Sequence, residues 1–598
     1  MPSIPDPRHL HQGREIPSEG YCDQPYIVRT DDGAWLCAMT TGPGVEGAPG
    51  QHVVSRRTRD QGRTWEEAVP LEPGDGPEAS YAVLLKVPTG RVYAFYNHNT
   101  DDLRQVKADD PPFAGGYCRR VDSLGHFVCR YSDDHGRTWS ARRYEIPQRR
   151  TAIDRENADH GELLYFWNVG KPFLLGGDAL VSLHKVGGFG DGFFTRSEGV
   201  LLRSDNLAFE PDPERLRWET LPEGEVGLRA PAGGGPVAEE QSYSVLSDGS
   251  IFCVFRTIDG HPACAYSRDR GRTWSPSEYL RFADGRPVKH PRAANFAWAC
   301  GHGRYLYWFH NHGGRFIPEH PRRRTMAYDD RNPVWLSGGV EADSPAGRVI
   351  RWSEPEIALY DDDPFIRVSY PDLIEEDGRY FVTETQKEIA RIHELDPGML
   401  AGLWGQFEPP EVAREGLLLE LQADLPPAVA MPRLPELVRR QRTSPYGTED
   451  LRQGFSLELV LNPGGLDPGR ILLDSRTPDG RGCCLRTAED RTVEIALNDG
   501  RTENRWACDP GLLQAGRRHH LVVIVDGGPR IITFVVDGRL NDGGEDRQFG
   551  WGRFSPHLRG APGAEQARLA DLEALRIYGR ALRTSEAVGN YRVWAEGR

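Results

Sequence analysis

The chain has 598 residues and a formal net charge of −15 at pH 7. This length is too great for a single hydrophobic core, so we expect two or more domains. The negative charge argues against a nucleic-acid partner, and no apolar stretch is long enough to span a membrane. The 67 glycines, 46 prolines and 10% aromatic residues favour many short strands joined by turns.

The N-terminal segment and the cysteines bear on location and on metal binding. Residues 1–7 lack the charged and apolar regions of a signal peptide. We therefore expect a cytoplasmic protein as the chain stands, or a secreted one if a signal peptide was removed. The ten cysteines form no C-x-x-C pair at zinc spacing, which predicts buried free thiols, no metal site and no cofactor.

Six stretches before residue 400 share one pattern: an apolar strand, a short turn that often contains Asp-Gly or Thr-Gly, and a second apolar strand. Repetition at intervals of tens of residues is typical of a repeat architecture. In chain order the pairs are 24–28 with 34–37, 80–85 with 92–96, 163–166 with 179–183, 242–246 with 251–255, 295–298 with 305–309, and 372–374 with 380–383.

A second repeat, S/T-x-D-x-G-x-T-W, follows three of these strand pairs, at 58–65, 132–139 and 267–274, and a weaker copy lies at 328–335. We expect its Asp to accept hydrogen bonds from turn amides and its Gly to take a positive φ. We also expect Trp65, Trp139 and Trp274 to be buried at equivalent corners between neighbouring sheets.

This second repeat resembles the Asp-box, or BNR repeat, of the sialidase superfamily, whose members are β-propellers. The resemblance implies an all-β fold with a six-bladed β-propeller over residues 1–404. Asp-boxes in that family belong to the scaffold and lie away from the active site. Function must therefore be sought where the inner strands begin and the second strands end, at one mouth of the propeller axis.

The sequence changes character after about residue 400. Six prolines between 409 and 435 predict a linker over residues 405–442. The strands expected at 455–461, 520–526 and 531–536, with the ending at 572–582, resemble a laminin-G or concanavalin-like jelly roll over 443–598. The resemblance implies a β-sandwich that binds glycans or packs beside a catalytic domain, and a packing role without a ligand fits equally well.

The fourth strand pair carries the best match to a sialidase site. Glu240 begins its first strand, and Arg256 ends its second strand 16 residues later (256 minus 240), with an Asp-Gly turn between them. The resemblance implies that Glu240 polarises a tyrosine and that Arg256 binds an anionic group of the sugar. Tyr370, at the start of the sixth pair, would be the nucleophile, since a phenol with a pKa near 10 needs a carboxylate partner.

The first strand pair departs from the family. Sialidases begin it with Arg-Ile-Pro, where this chain has Asp23, Gln24 and Pro25. Because an aspartate repels a carboxylate, we expect weak binding of sialic acid unless Arg14 supplies the first arginine. The loop after this pair holds Glu46, which the resemblance implies as the general acid.

Further residues are candidate contacts to the sugar. By resemblance, a third arginine would follow the fifth strand pair, where Arg315 and Arg322 both lie, and Arg292 precedes that pair. Histidines at the ends of second strands indicate a polar sugar pocket or an acid–base site. These histidines are His98, His184, His310 and His312.

Together these features predict an exo-acting, retaining glycoside hydrolase that removes a terminal, acidic sugar from a glycan, so that carbohydrate is the expected partner. Two alternatives stay open. The first is a polysaccharide lyase that cleaves uronic-acid glycans by β-elimination, which the histidines and the lost first arginine favour. The second is a non-catalytic, glycan-binding propeller with a lectin-like module.

Overall fold

The computed structural model describes residues 6–109, 116–118, 120, 122–123, 125–190, 193–313, 330–423, 425–437 and 452–597. The chain divides into two compact units. The N-terminal unit comprises Leu10–Trp352 and Asp363–Pro397, and the C-terminal unit comprises Met1–His9, Ser353–Asp362 and Gly398–Arg598. Both units consist mainly of antiparallel strands, which confirms the all-β prediction.

Six antiparallel sheets make up most of the described N-terminal unit, beside a small ribbon of Val106–Lys107 with Tyr117–Cys118. Sheet 1 contains Tyr21–Arg29, Trp35–Gly42, His52–Thr58 and Val69–Pro70, and sheet 2 contains Ala79–Lys86, Val92–His98, His126–Ser132 and Tyr144–Glu145. Sheet 3 contains Phe166–Trp167, Phe173–Leu175, Asp178–Phe189, Phe194–Ser204 and Glu219–Leu221, and sheet 4 contains Glu239–Val245, Ile251–Arg256, Ala263–Ser267 and Glu278–Tyr279. Sheet 5 contains Phe296–Cys300, Arg304–Phe309, Val334–Ser344 and Gly347–Trp352, and sheet 6 contains Leu373–Glu376, Arg379–Thr385, Ala390–Glu394 and Arg14–Ile16.

Each predicted strand pair recurs as adjacent strands of one sheet. The turns inside several pairs need a glycine because the backbone there has a positive φ, as at Gly33 (81°) and Gly249 (81°). The third pair is the least regular, and its first strand is only Phe166–Trp167.

The start of the chain completes the last sheet. Arg14–Ile16 pairs with Ala390–Glu394 at the edge of sheet 6. On this edge strand the guanidinium of Arg14 donates to the carbonyl of Gln61 at 2.7 Å. Arg14 is therefore occupied at a sheet edge, and the structure gives no support to its use as the first arginine of the site.

Hydrogen bonds connect the six sheets in a circular order. Each sheet bonds to the next along the chain, and sheet 6 bonds back to sheet 1. The bonds that make these six connections are Tyr81 N to Thr40 Oγ1 (2.8 Å), Asn168 Nδ2 to Tyr81 O (3.3 Å), Ser182 Oγ to Gln241 O (3.0 Å), Ser242 Oγ to Ala297 O (3.1 Å), Gly301 N to Glu375 Oε2 (3.4 Å) and Ile27 N to Asp372 Oδ2 (2.8 Å).

The three full repeats fold into one and the same turn. In each, the Asp accepts bonds from the backbone N–H and the hydroxyl of the Thr four residues later, for example at 2.9 and 2.7 Å between Asp134 and Thr138. The glycines have φ of 81°, 84° and 87°. Trp65, Trp139 and Trp274 are only half-buried, because each ring covers the rim of the apolar cluster between its own sheet and the preceding one.

The weaker copy at 328–335 is not a fourth turn of this kind. Residues 328 and 329 lie outside the described residues, and Trp335 is a fully buried residue inside the strand Val334–Ser344. The prediction of an Asp-box there is wrong, because a Trp that belongs to a strand cannot close the turn that follows one.

The C-terminal unit contains two antiparallel sheets. One consists of Leu417–Gln422, Leu572–Tyr578, Phe455–Leu461, His519–Asp526, Ile531–Val536, Arg539–Leu540 and Gly552–Arg553, and the other of Ala428–Ala430, Gln566–Leu569, Ile471–Asp474, Gly482–Thr487, Val493–Asn498 and Glu503–Ala507. Apolar side chains of both sheets, such as Leu457 and Ile495, share one core cluster. Leu417–Gln422 and Ala428–Ala430 are strands of these two sheets. Part of the stretch 405–442, which was predicted to be a linker, therefore folds with the C-terminal unit.

The remaining regular elements are short. The α-helices are Ala152–Arg155, Pro397–Gly405 and Thr584–Glu596, and the 3₁₀ helices are Leu10–Gln12, Pro213–Arg215, Gly301–Gly303 and Glu489–Arg491. Among the described residues, no helix has the length and apolar character needed to cross a membrane. All ten cysteines are free and nine are buried, as predicted.

Candidate active site

Four residues in or just before the first strands of sheets 1, 2, 4 and 6 share an unusual backbone conformation. Gln24, Tyr81, Glu240 and Tyr370 have φ of 51°, 62°, 56° and 46°, and the first three sit at register shifts of their sheets. A non-glycine residue in this region costs about 1–3 kcal/mol and persists where the surroundings enforce it. The register shifts in sheets 1, 2 and 4 re-aim the side chains of Gln24, Tyr81 and Glu240, and Tyr370 has the same backbone conformation just before the first strand of sheet 6.

Tyr370, just before the first strand of sheet 6, and Glu240, at the bulge of sheet 4, lie in contact. The phenol of Tyr370 donates to Oε1 of Glu240 at 2.9 Å, and both side chains are buried. Burial raises the pKa of Tyr370 well above 10, and the charge of Glu240 adds to this. Burial also raises the pKa of Glu240. The phenol is therefore protonated at neutral pH, with its proton directed at the one carboxylate that can accept it.

Arg256 and Glu239 hold Glu240 in place. Nη1 of Arg256 lies 2.9 Å from Oε1 of Glu240, and its Nε donates to Glu239 at 2.7 Å. Arg292 also donates to Glu239 from Nε and Nη2. Burial alone would raise the pKa of Glu239, but the charges of Arg292 and Arg256 outweigh burial and lower it to about 2. The adjacent carboxyls thus differ: Glu239 is a paired structural anion, and Glu240 faces the tyrosine.

A further arginine of the site, Arg331, was not predicted. It is 3% exposed and donates from Nη1 to Oγ of Ser369 at 2.5 Å, next to Tyr370. Burial and the charge of Arg367 lower its pKa to about 10, while Tyr370 opposes this. Arg331 lies in the weak Asp-box copy at 328–335. That stretch was expected to belong to the scaffold, so its arginine was not among the predicted site residues. The predicted third arginines, Arg315 and Arg322, lie outside the described residues.

Asp23 and Glu46 meet at the other side of the tyrosine ring, around a lysine. The ammonium of Lys387 lies 2.6 Å from Oδ2 of Asp23 and 3.2 Å from Oε2 of Glu46. The same Nζ lies 4.3 Å from the centre of the Tyr370 ring. Lys387 sits at φ 77° in the turn between Arg379–Thr385 and Ala390–Glu394, a position that no strand pattern marks.

Glu46 is held as an anion. Its Oε1 accepts from Nη2 of Arg120 at 3.1 Å, opposite Lys387. Burial would raise its pKa, but the charges of Lys387 and Arg120 lower it well below its ordinary value. A general acid must carry a proton at the working pH, so this environment does not suit the acid role predicted for Glu46.

The four candidate histidines do not converge. His184 alone touches the pair, because its Nδ1 accepts from the backbone N–H of Glu240 at 3.3 Å. His98 contacts Thr100 and Arg143, His310 lies near the carbonyl of Pro333, and His312 near that of Asp330. Burial lowers the pKa of His184 to about 3 and that of His98 and His312 to about 4. Burial likewise lowers the pKa of His310.

Comparison with family models agrees with the motifs. Residues 130–141 match the BNR/Asp-box repeat, and residues 442–587 match the concanavalin A-like lectin/glucanases superfamily. The chain therefore contains a stretch similar to the Asp-box repeat and a C-terminal stretch similar to the concanavalin A-like superfamily. Both matches confirm the resemblance that the repeats and the C-terminal strands predict. A comparison with curated protein sequences gives no match.

Solved structures with a similar fold have low sequence identity to this chain. The intramolecular trans-sialidase from Ruminococcus gnavus in complex with oseltamivir carboxylate is 14% identical, with a TM-score of 0.42, over 64% of this chain and 96% of that chain. Trypanosoma rangeli sialidase in complex with 2,3-difluorosialic acid is 13% identical, with a TM-score of 0.41, and the match covers 97% of this chain and 96% of that chain. A protein of unknown function from Dyadobacter fermentans is 16% identical, with a TM-score of 0.42, and the match covers 64% of this chain and 97% of that chain. At these values the likeness carries no argument about activity.

Proposed function

We propose that the protein is an exo-acting, retaining glycoside hydrolase of sialidase type, with Tyr370 as the nucleophile and Glu240 as its base. The observation that carries the proposal is the 2.9 Å hydrogen bond between the two buried side chains. A phenol is a weak nucleophile at neutral pH and gains strength from an adjacent carboxylate that takes its proton. Tyrosine nucleophiles of this kind are an established exception to the two-carboxylate rule of glycosidases.

The scaffold we propose is a six-bladed β-propeller followed by a β-sandwich. The circular hydrogen bonding of sheets 1 to 6 and the three identical turns support the propeller, since a propeller repeats one sheet around an axis. The shared core of the two C-terminal sheets supports the sandwich. We further propose that the C-terminal unit is an accessory module.

In the proposed reaction Tyr370 Oη attacks the anomeric carbon while Glu240 takes its proton. The bond from the anomeric carbon to the leaving oxygen breaks, and water at the solvent side of the pocket protonates that oxygen. A second water then attacks the anomeric carbon and loses a proton to the hydroxide left by the first step, the bond to Tyr370 breaks, and the proton on Glu240 returns to the phenolate. Two displacements at one carbon give net retention.

The lyase alternative needs a basic residue beside the sugar. The histidines proposed for that role have lowered pKa values, and a base with a pKa near 3 or 4 is a weak proton acceptor at neutral pH. The purely binding alternative does not require a tyrosine hydroxyl directed at a carboxylate. The site geometry therefore favours hydrolysis over both.

A screen of terminal glycosides and uronic-acid glycans tests the proposal. New reducing ends without absorbance at about 235 nm, the region where unsaturated uronates absorb, are the expected result of hydrolysis. Tyr370→Phe should abolish this release, while Tyr96→Phe, a matched change to a buried tyrosine that donates to Glu72 instead, should retain most of it. Absorbance that grows with reducing ends would establish elimination, and binding without any product would establish a lectin.

A further inference from the structure

Lys387 places a cation over the ring face of the proposed nucleophile. A tight turn holds it, because its backbone N–H donates to Oγ1 of Thr385 at 2.9 Å. Its Nζ lies 4.3 Å from the centre of the Tyr370 ring, between the carboxylates of Asp23 and Glu46. A sugar that approached Tyr370 from this face would therefore lie beside these three charges.

We propose that Lys387, Asp23 and Glu46 select a terminal sugar that presents hydroxyl groups and no carboxylate. The proposal rests on the glycosidase function proposed above and names the substrate class of that site. It replaces the expectation of an acidic sugar.

The first reason is charge. Lys387 is shared between Asp23 and Glu46, and Arg120 beyond them pairs with both Glu46 and Asp122. The group thus holds two cations and three carboxylates. A carboxylate on the sugar would meet the partly exposed Glu46 with the buried Asp23 close behind it, while the ammonium of Lys387 between them is already paired with both, so like-charge repulsion would oppose its binding.

The second reason is hydrogen-bonding capacity. An ammonium has three N–H donors, and Asp23 and Glu46 engage two of those of Lys387. A carboxylate accepts several hydrogen bonds, and the Glu46 side chain is 29% exposed, so solvent and ligand can reach it. A sugar hydroxyl both donates and accepts, so it can satisfy a carboxylate and the ammonium at once, which a sugar carboxylate cannot.

Two of the arginines on the other side of Tyr370, Arg256 and Arg292, agree with this assignment, and the third, Arg331, donates to Ser369. Arg256 bonds to Glu239 and Glu240, and Arg292 bonds to Glu239 and the carbonyl of Phe194. Both guanidinium groups already have carboxylate partners in the protein. A sugar carboxylate would have to displace these buried ion pairs, whereas an uncharged sugar leaves them intact.

Calorimetric titration of the full-length Tyr370→Phe variant tests the proposal independently of turnover. The probes are uncharged hexoses (galactose, glucose and mannose) and the sugar acids N-acetylneuraminic acid and glucuronic acid. We expect at least one hexose to bind and each sugar acid to bind at least tenfold more weakly. Adding Lys387→Met should weaken hexose binding at least tenfold, and Asp23→Asn should narrow the gap between hexoses and sugar acids.

Lys387→Arg, which keeps the charge, is the matched control and should retain more of the hexose affinity than Lys387→Met, with thermal melting used to confirm that each variant is folded. Sugar acids that bind as tightly as hexoses, hexose binding that Lys387→Met leaves unchanged, or the absence of binding by both classes would overturn the proposal. A wild-type enzyme that releases no sugar would instead contradict the proposed hydrolase function, and these titrations would still decide the substrate class.

Discussion

Tyr370 and Arg256 meet at a single oxygen of Glu240: Oε1 accepts the tyrosine hydroxyl at 2.9 Å and faces a guanidinium nitrogen at 2.9 Å. The other oxygen, Oε2, is buried with no hydrogen-bond partner among the described residues. The arginine therefore fixes the carboxylate in the orientation that receives the phenolic proton. Glu240 is thus a buried carboxylate with one oxygen left without a hydrogen bond, an environment that is typical of catalytic carboxylates.

The two neighbouring glutamates should respond oppositely to neutralisation. Glu239→Gln removes the partner of two buried arginines, so the free energy of unfolding should fall by about 3–5 kcal/mol. Glu240→Gln removes a carboxylate whose pKa is raised by burial, so stability at pH 7 should stay equal or rise. Chemical denaturation of both variants measures the difference, and equal losses would contradict this account of the pair.

The pH dependence of the free energy of unfolding should distinguish the contributions of Glu239 and Glu240. The pKa of Glu239 is about 2 in the folded protein and its ordinary value is 4.5, so its contribution is complete above 4.5 and is lost as the pH falls toward 2. The pKa of Glu240 is raised, so its ionisation opposes folding above that value and protonation relieves this at lower pH. Melting curves from pH 7 to 3 should therefore show a smaller loss on acidification in Glu239→Gln than in wild type.

Catalysis should fail in acid at an unusually high pH. Only ionised Glu240 can take the tyrosine proton, and its pKa lies above 4.5, so kcat/KM should fall as the pH drops through that raised value. Arg256→Met removes the opposing positive charge, so the acidic limb should move upward by roughly 1–3 pH units. A pH–rate profile measures this, and an acidic limb at or below 4.5 in both enzymes would argue against Glu240 as the base.

The Asp-box turns should matter for stability and not for activity. Asp134 accepts bonds from Ser132 and from both the N–H and the hydroxyl of Thr138, so Asp134→Ala should lower the free energy of unfolding by about 1–2 kcal/mol. Asp269→Ala should behave alike, since its bonds are the same. Asp75→Ala, at an exposed position, is the control. A loss of kcat in either box variant at a temperature where it is folded would contradict the scaffold role.

The fourth and sixth strand pairs resemble sialidase sequence patterns, and that resemblance led us to predict Tyr370, Glu240 and Arg256 as site residues, which the structure brings into contact. The sequence did not allow Lys387 or Arg331 to be predicted, because each lies outside a regular strand pattern and becomes part of the site only when the sheets meet. The positive φ of Glu240 and Tyr370 has no signal in residue type, since both belong to classes that seldom adopt it.

The stretch 405–442 is a second example of structure that the sequence does not predict. Prolines correctly mark interruptions between 409 and 435, yet short strands between them pair with partners more than a hundred residues away, such as Leu417–Gln422 with Leu572–Tyr578. Local composition carries no information on such distant pairing. The half-burial of Trp65, Trp139 and Trp274 is likewise set by how closely two sheets approach, and the motif alone does not specify that distance.

The most direct test of the central claim is to locate the covalent sugar. A glycoside that the enzyme turns over, quenched in acid within milliseconds, should leave one sugar mass on the intact protein, and peptide mapping should place it on Tyr370. Glu240→Gln should reduce the adduct and Tyr370→Phe should abolish it. A wild-type enzyme that releases sugar with no adduct on Tyr370, or a Tyr370→Phe enzyme of near-normal rate, would contradict the mechanism.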